Sequence, residues 1–311
     1  MTPEKFRVLF SPVVAQRAFY MAPAALLVAT LTACGGGAAD GSGGIYIPPT
    51  ISSISVSSVK YAQTVTLTIK GTNLDQAITV STKGCTDVKL SSTEPFVSTP
   101  TTAYYQCTAS AVGTFSVDLL AETSSTPIGS TSLKVPVPQV TMTVDNGAGV
   151  SGTMVMTLAP DKTPVTVNNF LAYVNADFYK NTIFHRTAAD FVIQGGGYEP
   201  LTVGQAPVLK PTRPPIALEV GKGLSNLKFT VAMARSSQLA SATSQFFVNL
   251  VDNVPLDTNN GGYAVFGSVT VGTDVVNAIA AAPCTPFKDV TAAPECTPSP
   301  NMVITSATQT Q

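Results

Sequence analysis

Residues 184–197 read Phe-His-Arg-Thr-Ala-Ala-Asp-Phe-Val-Ile-Gln-Gly-Gly-Gly, and this stretch decides the fold of the second half of the chain. It contains His185, the only histidine of the 311 residues, directly before Arg186. The three glycines that end the stretch could suggest a phosphate cradle. However, no Lys-Ser or Lys-Thr follows them and no helix pattern begins there. We therefore expect a permissive backbone at a turn.

Three further motifs follow in chain order. They are Phe-Thr-Val-Ala-Met-Ala-Arg at residues 229–235, Ser-Ala-Thr-Ser-Gln-Phe-Phe-Val-Asn at 241–249 and Tyr-Ala-Val-Phe-Gly at 263–267. Together with the first stretch they resemble the cyclophilin-type peptidyl-prolyl isomerases, most closely the periplasmic bacterial members. The resemblance covers about residues 139–282. A lone Phe-His-Arg would carry no information, but four separated motifs in the family's order do.

The segments around these motifs favour a closed barrel. Alternating apolar residues from 140 to 144, the turn residues Asp145-Asn146-Gly147 and a return strand at 154–158 predict a hairpin. We expect Thr163 to cap a helix that has Pro164 in its first turn, and a second helix is predicted over residues 274–282. Short strands and long loops lie between the helices. This pattern favours an antiparallel barrel with two helices over a parallel βαβ sheet.

The resemblance implies prolyl isomerisation, and the side chain of Arg186 is suited to that reaction. Rotation of a prolyl amide must cross a barrier of ~18–20 kcal/mol that comes from amide resonance. No nucleophile, base or metal is needed. A donor aimed at the proline nitrogen helps, because the nitrogen lone pair becomes available only when the amide is twisted. Arginine suits this role, since its guanidinium stays charged and presents a rigid fork of donors. The resemblance places Arg186 at the catalytic arginine; a surface salt bridge is the alternative role.

The resemblance implies a set of residues around Arg186. Gln194 and Phe191 complete the predicted catalytic group. The predicted substrate-binding residues are His185, Val192, Met233, Ala234, Gln245, Phe247, Leu256 and Tyr263. Taken singly, the apolar members are more often core packing, and His185 is expected to orient and pack beside Arg186. Pro255 departs from the family, because many members carry an aromatic residue there, so one wall of the pocket is expected to differ.

Composition excludes several classes of function. Seventeen basic and eighteen acidic side chains give a net charge of -1, which leaves no cationic surface for a nucleic acid. With one histidine and five cysteines, a multi-histidine metal centre is excluded and a zinc site is disfavoured. We expect neither a metal nor a cofactor.

The N-terminus predicts export. Lys5, Arg7 and Arg17 precede an apolar run over residues 18–32, which is too short for a membrane span that needs about 20 residues. The following Leu-Thr-Ala-Cys resembles the lipobox of bacterial lipoproteins. We therefore predict a signal peptide over residues 1–33, lipidation of Cys34 and a Gly-rich tether over 34–50. The expected location is the bacterial cell envelope, as a membrane-anchored lipoprotein facing the periplasm. The alternative is ordinary cleavage that releases a soluble protein.

A different composition marks residues 51–137. Thirty-one of the 85 residues from 51 to 135 are Ser or Thr, and none is Arg or His, so this region is poor in catalytic groups. Alternating segments at 64–69 and 115–119 predict strands, and the opening resembles the IPT/TIG immunoglobulin-like modules. We expect an immunoglobulin-like β-sandwich that acts as a spacer, with ligand binding as the alternative. Pro136 and Pro138 mark the boundary with a cyclophilin-like domain over 138–311.

The remaining four cysteines form local pairs in sequence, Cys85 with Cys107 and Cys284 with Cys296. In an oxidising compartment these pairs predict two disulfides. Four unpaired thiols are the alternative.

The fold class that we predict is mainly β, with the sandwich followed by a closed barrel. The predicted function is prolyl isomerisation in extracytoplasmic proteins by a monomer whose partners are proline-containing unfolded or folding proteins. Two alternatives stay open. Pro255 could leave a module that binds proline segments, or acts as a chaperone, with little turnover. The Ser/Thr-rich region could instead serve surface adhesion.

Overall fold

The computed structural model describes residues 47–75, 77–122, 124–202, 205–285 and 296–311. The predicted signal peptide, Cys34 and the tether up to residue 46 lie outside the described residues. Within the described ranges, no helix has the length and apolar character that crossing a bilayer requires.

The first seven strands form two antiparallel sheets. These strands are β1 (Thr50–Val56), β2 (Thr64–Thr72), β3 (Ile78–Thr82), β4 (Cys85–Leu90), β5 (Thr102–Ala109), β6 (Gly113–Ala121) and β7 (Gly129–Val135). One sheet has the order β1-β2-β5-β4 and the other β3-β6-β7. In β2, Val65, Leu67 and Ile69 are fully buried, as the alternation predicted. The structure joins Cys85 in β4 to Cys107 in β5 by a disulfide.

Eight later strands close into an antiparallel barrel. They are β8 (Gln139–Asp145), β9 (Ser151–Leu158), β10 (Thr182–Ala188), β11 (Val192–Gly195), β12 (Thr230–Met233), β13 (Phe246–Asn249), β14 (Val265–Val271) and, after the two-residue strands β15 (Cys284–Thr285) and β16 (Thr297–Pro298), β17 (Met302–Gln309). The order around the barrel is β10-β11-β13-β12-β14-β9-β8-β17. The predicted hairpin is β8–β9. The mainly β class with a closed antiparallel barrel and two helices is therefore confirmed.

The two helices are α1 (Pro164–Val174) and α2 (Thr273–Ala280), so α2 ends two residues before the predicted position. Thr163 is the N-cap residue of α1, as expected, but its side chain makes no capping hydrogen bond, because the hydroxyl donates to the carbonyl of Val265 at 3.3 Å. The cap is the Glu219 carboxylate. It accepts the backbone N–H groups of Val165 at 3.2 Å and Thr166 at 2.8 Å. A full negative charge satisfies the free N–H groups and also the positive end of the helix dipole.

Aromatic rings fill the barrel and fix α1 against the strands that carry the motifs. The Phe170 ring of α1 lies 5.0 Å from the Phe266 ring and 5.7 Å from the Phe246 ring, measured between centroids. Phe246 in turn lies 5.8 Å from Phe184 of β10. All four rings are fully buried. The contacts of Phe246 with Phe170 and Phe184 are edge-to-face and the contact of Phe170 with Phe266 is tilted; such ring contacts add to the burial of apolar area and hold the wall formed by β10 and β13 from inside.

Candidate active site

Arg186 is presented by a bulge in β10. Phe184 pairs with Gly195 of β11, whereas Arg186 pairs with the adjacent Gln194, so His185 is an extra residue on β10. A bulge of this kind increases the local twist and redirects the next side chain. The bulge therefore turns Arg186 toward Gln194.

A chain of side-chain hydrogen bonds orients the guanidinium. Arg186 Nη1 donates to Gln194 Oε1 at 2.9 Å, and Gln194 Nε2 donates to Gln245 Oε1 at 2.9 Å. The guanidinium carbon also lies 5.8 Å from the centroid of the Phe191 ring, within cation–π range. Arg186 and Gln245 together use both ends of the Gln194 amide, so the orientation of Arg186 depends on Gln245.

Gln245 is supported by a glycine. A Cβ atom added to Gly197 would lie 2.6 Å from Gln245 Cγ, a separation that non-bonded carbons do not adopt. The neighbouring Gly196 has a φ of +82°, which L side chains rarely adopt. These two glycines give the turn a shape that leaves room for Gln245, in agreement with the predicted permissive backbone.

A cavity of about 160 Å³ opens beside Arg186. Its floor is apolar and comes from a hydrophobic cluster, built on Val192 and Phe247, that is separate from the main core. Seven further residues line the cavity: Arg186, Phe191, Gln194, Ala234, Arg235, Leu256 and Tyr263. This volume is well above the ~10–15 Å³ that a single water requires, so the cavity has space for a small ring.

Eight of the eleven residues predicted for catalysis and substrate binding therefore line one cavity, and three do not. Met233 is 2% exposed and packs in the main core. The reason is strand alternation, since Ala232 and Ala234 of the same segment face the small cluster and Met233 faces the opposite side. The expectation that Met233 lines the pocket is thus corrected to core packing. Gln245 acts on the cavity through Gln194, and His185 is buried next to Arg186 in β10.

His185 is buried, with 2% of its surface exposed, and its ring lies 4.7 Å from the Tyr198 ring. Burial, and secondly the charge of Arg186, lower the pKa of His185 to about 4. The imidazole is neutral at physiological pH, which is compatible with a packing role beside Arg186.

Arg235 is a lining residue that the sequence reasoning did not select. Its guanidinium carbon lies 4.6 Å from the Tyr263 ring centroid, and Nε donates to the carbonyl of Gly262 at 3.1 Å. It thus ties Tyr263 to the loop before β14. A signal was available, because Arg235 ends one of the four motifs.

The short 3-10 turn Val254–Asp257 brings Leu256 to the cavity. Partial burial alone would raise the pKa of Asp257, but hydrogen bonds from Ser225 and Asn226 lower it below its usual value. Asn226 donates to Asp257 Oδ1 from its backbone and from Nδ2, each at 2.8 Å. Pro255 is exposed and is not among the lining residues of the cavity, so no aromatic ring stands there.

A larger cavity, of about 560 Å³, lies between β3 and β4 of the first seven strands. Its only charged lining residues are Asp75 and Lys89, and it contains no arginine or histidine. The smaller cavity is therefore the candidate site, because it brings together a cation, an amide pair and an apolar floor. Among the described residues, no group of three or more His, Cys, Asp or Glu side chains is arranged to hold a metal ion.

A family model described as cyclophilin type peptidyl-prolyl cis-trans isomerase/CLD matches residues 139–309. The chain belongs to this family. Over 134 residues it is 51% identical to the peptidyl-prolyl cis-trans isomerase cyp18 of Streptomyces antibioticus, covering 42% of this chain and 78% of that protein. Over 133 residues it is 46% identical to peptidyl-prolyl cis-trans isomerase B of Escherichia coli K12, covering 41% and 78%.

A solved cyclophilin structure from Cryptosporidium parvum, obtained in the presence of the dipeptide Ala-Pro, aligns with a TM-score of 0.44 and 22% identity, covering 56% of this chain and 99% of that one. The barrel and its cavity lie within the part of the chain that the family model matches, and the first seven strands lie before it. The chain is thus a cyclophilin-type peptidyl-prolyl cis-trans isomerase with an additional N-terminal region.

Proposed function

We propose that the cyclophilin barrel isomerises X-Pro bonds by a hydrogen bond from Arg186 to the proline nitrogen of the twisted amide. The observation that carries this proposal is the position of the Arg186 guanidinium at the wall of the 160 Å³ cavity, above its apolar floor and oriented by Gln194 at 2.9 Å. The pyrrolidine ring occupies the cavity, over Val192 and Phe247.

Arg186 lowers the rotation barrier because it binds the twisted amide of the transition state more strongly than the planar amide of the ground state. In the planar ground state the nitrogen lone pair is conjugated with the carbonyl and accepts poorly, so the bond from Arg186 strengthens only as the amide twists. Preorganisation matters because the donor needs no reorientation when the lone pair appears. Each tenfold gain in rate requires ~1.4 kcal/mol, so one charged hydrogen bond of ~1.5–3 kcal/mol supplies about one to two powers of ten.

Replacement of Arg186 tests this role. We expect Arg186→Ala to lower kcat/KM for a short X-Pro peptide by roughly a hundredfold, and Arg186→Lys to recover only part of the loss because an ammonium lacks the fork. The assay is NMR exchange or a protease-coupled measurement. Arg213→Ala is the matched control, since Arg213 is exposed and does not line the cavity. An unchanged rate in Arg186→Ala contradicts the mechanism and favours a module that binds proline segments with little turnover.

We further propose that the protein works outside the cytoplasm as a lipoprotein anchored through Cys34. The lipobox-like Leu-Thr-Ala-Cys supports the anchor, and the pairing of the four other cysteines supports an oxidising compartment. The substrates are then proline-containing proteins that fold in the cell envelope. Metabolic labelling with palmitate should mark the wild type and not Cys34→Ser, which should also move to the soluble fraction with its isomerase activity intact. Equal recovery of both proteins in the soluble fraction would rule out the anchor.

We propose an immunoglobulin-like spacer for the first seven strands. The sheet orders β1-β2-β5-β4 and β3-β6-β7 support it, because constant-type immunoglobulin domains pair their seven strands as ABED and CFG. Between an anchor and an enzyme, such a domain sets the distance of the cavity from the membrane.

A further inference from the structure

The strand that carries Arg186 has two different neighbours on the side away from β11. β17 pairs with its first half, where Thr182 lies opposite Ile304 and Phe184 opposite Met302. Beyond Phe184 the ladder to β17 ends, and the next neighbour is the short segment around Cys296. The catalytic half of β10 therefore depends on a segment that comes from the C-terminal region before β17.

Cys296 and Thr297 supply the backbone partners on this side. The Thr187 N–H donates to the Cys296 carbonyl at 2.7 Å, and the Cys296 N–H donates to the Thr187 carbonyl at 3.0 Å. The Thr297 hydroxyl donates to the His185 carbonyl at 2.6 Å. These contacts lie on either side of Arg186, on residues that are 2% and 3% exposed, so water does not replace them.

The hydrogen bond from Thr297 to the His185 carbonyl supports the bulge of β10. His185 is the extra residue of the bulge, and in a bulge the ladder to the partner strand is locally disrupted. The Thr297 hydroxyl gives its buried carbonyl a donor. Since the bulge turns Arg186 toward Gln194, the bond from Thr297 stabilises the backbone shape that aims the guanidinium.

A covalent link holds this segment in place. Cys296 is joined to Cys284, and Cys284 and Thr285 of β15 pair with Pro298 and Thr297 of β16. We use the name clamp for β15 and β16 together with the Cys284–Cys296 disulfide. Its strand residues are Cys284, Thr285, Thr297 and Pro298. Its inner residue Thr297 is buried, whereas Thr285 is exposed.

We propose that the clamp is a positioning element of the active site, in which the Thr297 hydroxyl fixes the His185 bulge and thereby the direction of Arg186. Thr297 touches no reacting atom and acts through Arg186. The proposal rests on the role proposed above for Arg186.

The test compares two substitutions of one residue. Thr297→Val keeps the shape and removes the hydroxyl, and we expect kcat/KM for an X-Pro peptide to fall roughly tenfold, with the loss in kcat and little change in KM. Thr297→Ser keeps the hydroxyl and should retain most of the activity. Thr308→Val, a change of the same kind at an exposed position of β17 outside the clamp, should leave the activity unchanged. Equal losses in Thr297→Val and Thr297→Ser, or full activity in Thr297→Val, would overturn the proposal.

A double substitution separates positioning from general damage. In the Arg186→Ala background, Thr297→Val should cost no further activity, because the residue that it positions is gone. A further tenfold loss in that background refutes action through Arg186. If Arg186→Ala itself proves fully active, the proposed mechanism fails, and the single Thr297 variants still show whether the clamp affects turnover.

The disulfide gives a second, independent variant. Cys284→Ser combined with Cys296→Ser should reduce kcat in the same direction as Thr297→Val, whereas the Cys85→Ser and Cys107→Ser pair removes the other disulfide and should not. The NMR signal of His185 provides the structural readout, since release of the clamp should expose this ring and raise its pKa toward the ordinary value of about 6.5. A low kcat with an unchanged His185 titration, or full kcat in the clamp variant, contradicts the proposal.

Discussion

His185 makes the stability of the barrel depend on pH in a defined window. Burial and the charge of Arg186 hold its pKa at about 4 in the folded protein, whereas an exposed histidine titrates near 6.5. Between pH 4 and about 6.5 the histidine is protonated in the unfolded chain and neutral in the folded protein. The contribution is therefore fully present above pH ~6.5 and is lost as the pH falls toward 4.

The expected size follows from ~1.36 kcal/mol for each pKa unit, so about 3 kcal/mol is lost across the window as an upper limit. Urea unfolding at pH 7 and pH 4.5 should show the loss in the wild type and a smaller one in His185→Gln, which removes the titrating group. Because the chain has one histidine, NMR follows the same group directly. Titration of its ring above pH 6 in the folded protein would contradict the prediction.

At the scale of single elements, local pattern was sufficient for the strands and helices that bury one face. The alternation of Val140, Met142 and Val144 predicted β8, because burial on one face imposes a period on the sequence. The buried side of α1 is likewise indicated by the helical spacing of its apolar residues Val167, Phe170, Leu171 and Val174. The motifs likewise identified eight of the nine cavity residues. Resemblance, more than periodicity, provided those positions.

The elements that sequence reasoning missed depend on partners that are distant in the chain. Glu219 caps α1 from 53 residues away, so a search for a cap among the residues next to Pro164 could not find it. The bulge at His185 is visible only in the register between β10 and β11, and the orientation of Met233 depends on that of β12 in the barrel wall. The cap, the register and the side-chain orientation are therefore determined by pairing between distant segments, because the local sequence is compatible with more than one of each.

For the molecule as a whole, the first seven strands are fastened to the barrel. Residues 47–311 form one compact unit. Besides a hydrogen bond from Gln63 Nε2 to Asn175 Oδ1 at 3.3 Å, one link is Gln309, the last residue of β17, which is 5% exposed. Its Nε2 donates to the Tyr61 carbonyl at 2.9 Å, and its Oε1 accepts Gln63 Nε2 at 2.9 Å. Lys60 Nζ donates to its backbone carbonyl at 2.6 Å. For the spacer role and the membrane anchor proposed above, this attachment would set the orientation of the barrel as well as its distance from the membrane.

Removal of this link should separate the two regions. At ~1 kcal/mol for each of the side-chain hydrogen bonds lost, Gln309→Ala should lower the free energy of unfolding by about 2–3 kcal/mol. We expect the first seven strands to open before the barrel, whereas in the wild type both open together. Hydrogen exchange resolved by peptide measures each region, and calorimetry measures the number of transitions.

Gln311→Ala is the control, because it changes the same residue type at an exposed position two residues later. Since β17 also closes the barrel between β8 and β10, isomerase activity must persist in Gln309→Ala for the loss to be assigned to the interface. A single transition with unchanged exchange in the first seven strands would mean that Gln309 does not couple the two regions.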